Sequence, residues 1–532
     1  MSAAVQAPQA QAAEKGRRRA RGRKVAAGDP KRETVRPLRP AARGWFGRGA
    51  GAAGHVEAPD EWRGTTVQVC GLWPWVAGSG TPMVGVPLGR HITTGATLCC
   101  DPISWFQRAK LIGNPSVAVL ALPARGKSTL VRRMAIGLSG YGTIPLVLGD
   151  LKPDYVATVK ALDGQVISLG HGRGALNVLD PGESRSATHR LREAGFETQA
   201  QAIEADAHAR RLTIVSALLT ILRKQAPSDV EESIIDQALR VLDRDHAGVP
   251  VLADLLAVVQ SGAPELREVA VDRGDFDEYQ RITRGLEASL ISLAKGGRLG
   301  SMFSRETTNP MRLDRPVVFD ISAIKETEED LRAAALLACW STGFATVNVA
   351  NVLADCGLEP RRHYFVIMDE LWQALRAGSG MVDRVDGLTR LNRQVGVGQA
   401  LITHTMSDFD SLPTEEDRMK ARGMVERAGM VICGGLPAAE MPKLTAAIPL
   451  SRAEQDLLIS WQDPPAWESG VNQDAVPPGR GKFLVKVGGR PGIPIDVQLT
   501  DVERHVHDTN VLWHSQSRSG RRLLDEGTEA HR

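Results

Sequence analysis

The residues most able to do chemistry form one short stretch, Ala-Leu-Pro-Ala-Arg-Gly-Lys-Ser-Thr at positions 121–129. It matches the phosphate-binding pattern G-x-x-x-x-G-K-[ST] at every fixed position except the first, where Ala121 replaces glycine. In such a loop, backbone N–H groups and the N-terminus of the next helix surround the phosphates, a lysine reaches the outer phosphates and a hydroxyl binds Mg²⁺. We therefore predict that Lys127 binds phosphate and that Ser128 is a magnesium ligand. The predicted nucleotide-binding residues of the loop are Ala124, Arg125, Gly126, Lys127, Ser128 and Thr129.

The neighbouring sequence favours this interpretation over a basic helix cap. An apolar run at 116–120 precedes the loop and a helical pattern at 130–138 follows it, so the order is strand, loop and helix. Alanine at the first consensus position costs backbone freedom. It leaves the chemistry of the lysine and the hydroxyl unchanged.

A second chemical signal is the acidic pair Asp369-Glu370, which directly follows the apolar run 363–368. An aspartate at the end of such a strand can hold Mg²⁺ through water, and the following glutamate can polarise the attacking water. Acidic pairs after strands are also common helix caps. Because a phosphate-binding loop lies upstream, we predict that Asp369 positions the metal indirectly and that Glu370 activates water.

Further polar residues follow other predicted strands. Apolar runs that alternate with helices predict a parallel sheet, and ligand-binding groups gather at the carboxyl ends of its strands. Asp150 follows the strand 144–148, and His404 follows the strand 399–403. We predict that Asp150 lies at the nucleotide site and that His404 senses the γ-phosphate or aligns the water.

Two arginines, Arg390 and Arg393, lie in a basic segment at 384–393 that is predicted to be helical. They could reach a neighbouring subunit's nucleotide as arginine fingers, which stabilise transition-state charge. The alternative is that both are solvated helix residues.

The pattern predicts an α/β fold of the P-loop NTPase class, with a mostly parallel sheet and an inserted all-α subdomain. The predicted segments are a basic tail and linker (1–65), the first part of the ATPase domain with a β-rich lead-in (66–182), the all-α insertion (183–300), the second part of the ATPase domain (301–503) and a loose C-terminal tail (504–532). The insertion is predicted from four helical patterns: 190–224, a helix that follows the capping box at Ser228-Asp-Val-Glu231, 250–261 and 278–294.

Composition limits the class of protein. Of 532 residues, 42% are hydrophobic and 24% are charged, which is ordinary for a soluble globular protein. The most apolar segment, 333–350, is interrupted by polar residues and is predicted to be a buried helix instead of a membrane span. Six cysteines without a C-x-x-C pair argue against a zinc site or a disulfide framework and suit a reducing cytoplasm.

Charge is unevenly distributed along the chain. Residues 1–48 hold thirteen Lys and Arg against three Asp and Glu, whereas the whole chain has a net charge of +3. The tail is therefore predicted to be disordered and attracted to nucleic acid or anionic lipid, or to act only as a solubilising extension.

Taken in order along the chain, these motifs resemble those of the type IV secretion and conjugative-transfer ATPases of the HerA/FtsK superfamily. The resemblance covers about residues 80–503. It is carried by the phosphate-binding loop and by the segments Asp150-Leu-Lys-Pro-Asp-Tyr155, Gly300-Ser-Met-Phe303, Val318-Phe-Asp-Ile-Ser322, Met368-Asp-Glu-Leu-Trp372, Arg390-Leu-Asn-Arg-Gln394 and Leu401-Ile-Thr-His404. The family usually has glutamine where this chain has His404, and the large amino-terminal domain of the pilus-assembly branch is expected to be absent.

The resemblance implies a RecA-like P-loop NTPase fold and a cytoplasmic, hexameric motor that hydrolyses ATP with Mg²⁺. It implies type IV secretion membrane proteins as partners, possible binding of DNA, and peripheral association with the inner face of the membrane, with no transmembrane segment. Two alternatives stay open: a double-stranded-DNA translocase of the FtsK type, and a nucleotide-binding scaffold with little turnover. Retention of both Asp369 and Glu370 argues against the scaffold.

Overall fold

The computed structural model describes residues 81–506, apart from 296, 298, 300–301, 377–380, 390–395 and 465–476. The predicted basic tail, the loose C-terminal tail from 507 onwards, and Arg390 and Arg393 therefore lie outside the described residues. The described strands form a single sheet of eleven, in the order β2-β1-β11-β10-β9-β3-β8-β7-β4-β6-β5.

Seven neighbouring strands, from β9 to β5, are all parallel to one another. They are β3 (Ser116–Leu120), β4 (Thr143–Asp150), β5 (Gln165–Ser168), β6 (Val317–Asp320), β7 (His363–Met368), β8 (Val397–Thr403) and β9 (Met430–Cys433). Their near-continuous apolar sequences are explained by burial on both faces. The predicted parallel sheet is confirmed.

The remaining strands extend the sheet in antiparallel fashion. They are β1 (Pro87–His91), β2 (Thr97–Cys99), β10 (Lys482–Lys486) and β11 (Ile493–Val497). The predicted β-rich lead-in holds two of these strands, but it then forms helix α1 (Pro102–Gln107). Asp101 caps that helix by accepting from Ser104 N, and Pro102 at the first helical position needs no hydrogen-bond partner for its nitrogen.

Each face of the sheet is covered by its own layer of helices. Leu146 and Leu148 belong to the larger core cluster, whereas Val147 between them belongs to the other. This alternation is the period-2 pattern of a strand that is buried on both sides. Helix α2 (Lys127–Gly140) packs on one face, and α10 (Glu329–Asp355) packs on the other.

Six helices fill residues 183–294, between β5 and β6. They are α4 (Glu183–Glu193), α5 (Glu197–Arg223), α6 (Asp229–Asp245), α7 (Leu252–Ser261), α8 (Pro264–Ala270) and α9 (Phe276–Ala294). The capping box at Ser228 is present at the start of α6. The pattern at 190–224, predicted as one helix, is broken at 194–196, and the short helix α8 was not predicted.

Seven further α-helices complete the described chain. They are α3 (Val156–Ala161), α11 (Leu371–Leu375), α12 (Met381–Thr389), α13 (Glu415–Glu426), α14 (Met441–Ala447), α15 (Arg452–Ser460) and, at the end of the described chain, the short α16 (Asp501–Val506). The only described helix long and apolar enough to cross a membrane is α10, and 78% of its most apolar window is buried. That degree of burial is typical of a core helix.

Candidate functional site

The phosphate-binding loop leaves the sheet at its centre, where β3 lies between β8 and β9. Ala121 ends the strand fully buried, so the residue that departs from the consensus is accommodated inside the core. Gly126 has φ 96°, a left-handed conformation that glycine adopts without strain, and it caps helix α2. The strand, loop and helix predicted from the sequence therefore present the N-terminus of α2, beginning at Lys127, to one end of the sheet.

Lys127 is held by two contacts inside this site. Its Nζ donates to the carbonyl oxygen of Ala121 at 2.6 Å and lies 2.8 Å from Nδ1 of His404. Burial lowers the pKa of Lys127, and the nearby Asp369 and Glu370 carboxylates oppose that shift. The lysine predicted to bind phosphate is therefore oriented by the strand end on one side and by His404 on the other.

His404 connects the phosphate lysine to the water-activating acid. Its Nε2 lies 3.3 Å from Oε2 of Glu370, on the opposite side of the ring from Lys127. An ammonium group can only donate, so Nδ1 accepts from Lys127 and the ring proton lies on Nε2, which donates to Glu370. The backbone N–H of His404 is fixed by the Asp408 carboxylate at 3.0 Å.

The Asp369 carboxylate is fixed through both of its oxygens. Oδ2 accepts from the Tyr155 hydroxyl at 3.0 Å, and Oδ1 accepts from the backbone N–H of Glu370 at 2.9 Å. Burial, assisted by the Glu370 charge, raises the pKa of Asp369 to about 6. An aspartate in this environment gains from a nearby cation, which would favour its ionised form.

Glu370 differs from Asp369 in its backbone conformation and in the direction of its pKa shift. It begins the short helix α11 with φ 51°, an uncommon conformation for a residue other than glycine. Burial alone would raise the pKa of Glu370, but hydrogen bonds from His404 and Trp372 lower it to about 2. Glu370 is therefore ionised at neutral pH, as a group that accepts a proton from water must be.

Asp150 supports the site through the backbone. Its carboxylate accepts from the N–H groups of Asp154 at 3.2 Å and Tyr155 at 2.8 Å, which shapes the turn after β4. That turn directs the Tyr155 hydroxyl to Asp369. Burial raises the pKa of Asp150 to about 8.

These groups surround one cleft of about 370 Å³. Its lining includes the predicted residues Ala124, Gly126, Lys127, Ser128, Thr129, Asp150, Asp369, Glu370 and His404, together with Arg132, Lys152, Asp154 and Arg480. A hydroxyl from Ser128 and a carboxylate from Asp369 on the same cleft are hard oxygen donors, which suit Mg²⁺. The donor set therefore fits the predicted metal.

Among the described residues of the predicted site, Arg125 is the one that does not line the cleft. The Arg125 side chain turns away from it and donates to the carbonyl oxygen of Gln462, while the Arg125 carbonyl accepts from Gly481 N at 3.1 Å. Arg125 thus joins the loop to the C-terminal segment. Arg390 and Arg393 lie outside the described residues, so their roles stay predictions.

Several site residues were missed by sequence reasoning. Tyr155 and Trp372 each hold one of the two acids, and Arg132 donates to the carbonyl of Asp154 at 2.6 Å. Tyr155 and Trp372 lie within motifs already noted in the sequence. Their positions in the sequence, a few residues after Asp150 and Glu370, could have indicated that they contact the site.

The fold was compared with those of solved structures. VirB4 of Thermoanaerobacter pseudethanolicus aligns with a TM-score of 0.59 and 17% sequence identity, over 80% of this chain and 100% of that chain. The chain has the fold of VirB4. This likeness confirms the predicted α/β class of P-loop NTPase, and it extends over the whole of the VirB4 structure.

A second solved structure is more distant than VirB4. The plasmid coupling protein TrwB in complex with the non-hydrolysable ATP analogue ADPNP aligns with a TM-score of 0.45 and 11% identity, over 80% of this chain and 96% of that chain. At this level of similarity it adds nothing to the fold assignment made from VirB4. No protein-family model matches the chain, and neither does any curated protein sequence.

Proposed function

We propose that this protein hydrolyses ATP to ADP and phosphate and serves as the motor of a conjugative DNA transfer or type IV secretion system. The observation that carries the proposal is the convergence of Lys127, Ser128, Asp369 and Glu370 on one cleft at the strand ends of a VirB4-like fold. Phosphoryl transfer requires this set: a cationic phosphate ligand, a metal site and a group that orients water. The motif resemblance noted in the sequence points to the same class of motor.

Each residue has a defined task in this proposal. The Lys127 ammonium binds the outer phosphates of ATP, together with the backbone N–H groups at the start of α2. Ser128 would hold Mg²⁺ directly and Asp369 would hold it through water, and the metal would neutralise the charge that develops on the phosphates. The ionised Glu370 carboxylate orients the attacking water and accepts its proton.

His404 has a role of its own in the proposed reaction. Its imidazole lies between the phosphate lysine and the water-activating acid, so it can respond to a change at either group. This supports the predicted sensor role, in which binding of phosphate by Lys127 changes the contact between His404 and Glu370. ATP as the substrate follows from the motif resemblance, and Mg²⁺ as the metal suits the oxygen donors of Ser128 and Asp369.

The partners follow from the motif resemblance. We propose a homo-oligomer, a hexamer by that resemblance, that works at the cytoplasmic face of the cell membrane with type IV secretion membrane proteins. DNA is the proposed cargo of the conjugative version. Arg390 and Arg393 are the proposed arginine fingers between neighbouring subunits.

The proposal is tested by steady-state ATP hydrolysis of the wild type and the Glu370→Gln variant, with and without duplex DNA. We expect Glu370→Gln to keep ATP binding and to lose at least about 100-fold in turnover, because the amide cannot accept the water proton. A matched control is Glu193→Gln, an exposed substitution on α4 that should leave turnover unchanged. Wild-type turnover in Glu370→Gln would contradict the catalytic assignment.

The assay with duplex DNA distinguishes the proposed function from its alternatives. Turnover that depends on Glu370 and rises several-fold with duplex DNA supports a DNA-handling motor, and binding should then weaken steeply with salt. Turnover that is indifferent to DNA supports a secretion motor that requires its membrane partners. ATP binding without turnover in the wild type would favour the scaffold.

A further inference from the structure

The Trp372 indole holds the water-activating acid. Its Nε1 donates to Oε2 of Glu370 at 2.7 Å, whereas the His404 contact to the same oxygen is 3.3 Å. The Trp372 bond is therefore the shorter of the two side-chain contacts on this carboxylate. Glu370 lies directly before α11 and has a left-handed backbone conformation. The helix therefore does not set the direction of its side chain, and hydrogen bonds such as the one from Trp372 hold it instead.

The indole is itself fixed from the other side. The Arg376 guanidinium lies 5.1 Å from the centre of the Trp372 ring, within the range of a cation–π contact. The same guanidinium donates to Oε2 of Glu329 at 2.9 Å, at the start of the long helix α10. A continuous series of contacts therefore runs from the core helix through Arg376 and Trp372 to Glu370.

Trp372 approaches Glu370 from outside the nucleotide cleft. It lines a second cleft of about 310 Å³, and it is absent from the lining of the nucleotide cleft. The two clefts share Leu151, Lys152, Glu370 and His404, so Glu370 lies at their boundary. The hydrogen bond from the Trp372 indole to Glu370 is therefore a direct link from Trp372 to a residue of the nucleotide cleft.

We propose that Trp372 is a positioning residue for ATP hydrolysis, which holds the Glu370 carboxylate in the orientation needed to direct the attacking water. The proposal rests on the function proposed above. It requires the indole N–H specifically, since the aromatic ring alone cannot donate to a carboxylate. Trp372 has no direct contact with the nucleotide in this scheme, so it should affect turnover and leave ATP affinity unchanged.

The test compares three single variants of the full chain. Trp372→Phe keeps an aromatic ring and removes the N–H. Trp372→His keeps an N–H donor, because imidazole Nε2 and indole Nε1 are both two bonds from Cγ in a five-membered ring. The control is Trp340→Phe, since Trp340 is fully buried on α10 and its Nε1 has no hydrogen-bond partner among the described residues. The readouts are kcat, KM and the Kd of a fluorescent ATP analogue.

We expect kcat of Trp372→Phe to fall about 10- to 100-fold, the effect of losing a hydrogen bond to a charged group, with KM and Kd within about two-fold of the wild type. Trp372→His should recover part of the loss, and Trp340→Phe should retain wild-type kcat. An unchanged kcat in Trp372→Phe, a matching fall in Trp340→Phe, or a loss of ATP affinity in Trp372→Phe would each overturn the positioning role. Absence of hydrolysis by the wild type would instead overturn the proposed function and this inference together.

Discussion

Replacement of His404 tests the link between Lys127 and Glu370 in a way that separates chemistry from shape. In the structure, Nδ1 of His404 accepts from the lysine at 2.8 Å, and Nε2 faces the glutamate at 3.3 Å. A glutamine side chain has the same polarity, with a carbonyl oxygen that accepts and an amide that donates. A leucine fills similar space and can do neither. We therefore predict that His404→Gln keeps the link and that His404→Leu breaks it.

The size of the effect follows from what each charged group retains. Without His404, the hydrogen bonds left to the charged groups among the described residues are that of the Lys127 ammonium with the Ala121 carbonyl and that of the Glu370 carboxylate with the Trp372 indole. A hydrogen bond to a charged group contributes about 1.5–3 kcal/mol, and each 1.4 kcal/mol of barrier changes a rate about ten-fold. Loss of the glutamate contact should thus lower kcat about 10- to 100-fold in His404→Leu. His404→Gln should stay within about five-fold of the wild type.

The assay is steady-state ATP hydrolysis at pH 7.5, with ATP binding measured in parallel. His404→Leu is expected to weaken ATP binding less than it lowers kcat, because the lysine retains its contact with the Ala121 carbonyl. Equal losses in the leucine and glutamine variants would show that the imidazole acts through its shape or its own titration. Full activity in His404→Leu would show that the link has no catalytic role.

Three further predictions test other parts of the site and fold. Lys127→Ala should weaken ATP binding at least about ten-fold by titration of a fluorescent analogue, and unchanged affinity would contradict its phosphate role. Burial and the adjacent acid raise the pKa of Asp369 to about 6, and its metal role needs the ionised carboxylate. Hydrolysis should therefore fall as the pH drops through 6, and a higher Mg²⁺ concentration should move that fall to lower pH. A rate of hydrolysis that stays constant down to pH 5 would refute this. Gly137→Ala places a methyl group 2.3 and 2.6 Å from the two Val86 methyl groups. The overpacking should destabilise the fold by about 1–3 kcal/mol, which exceeds the gain of about 1 kcal/mol from the higher helix propensity of alanine. The thermal unfolding midpoint should therefore fall. The control Gly140→Ala has nothing within 4 Å and should not lower it.

The parts of the site that the sequence predicted are those set by local patterns. Lys127 and Ser128 follow a strand and open a helix, and Asp369 and Glu370 end a strand, so their positions depend on a few adjacent residues. The parallel sheet then brings these strand ends together without further information. Site residues of this kind can be read from one chain.

The supporting contacts could not be predicted because they join distant segments or depend on side-chain direction. The Tyr155 hydroxyl contacts Asp369 across more than 200 positions of sequence, and the Arg125 side chain contacts the carbonyl oxygen of Gln462 across more than 300. The opposite pKa shifts of Asp369 and Glu370 likewise depend on partners from other elements. A sequence pattern shows two adjacent acids, but it does not show that burial raises the pKa of Asp369 while partners from other segments lower the pKa of Glu370.

The helical boundaries that were missed have local causes. Gly195 has φ 84° and ends the first helix of the insertion, which the apolar spacing alone did not reveal. The helix Pro102–Gln107 had a readable signal, an aspartate before a proline, that the alternating runs around it obscured.

The position of β3 in the sheet has a consequence for synthesis on the ribosome. Its two hydrogen-bonded neighbours, β8 and β9, lie roughly 300 residues further along the chain. At about 5–20 residues per second, the strand that carries the phosphate-binding loop waits on the order of 15–60 s for both neighbours to be made. The nascent chain therefore cannot complete the sheet around its phosphate-binding loop early, and a product truncated before Met430 should not bind ATP.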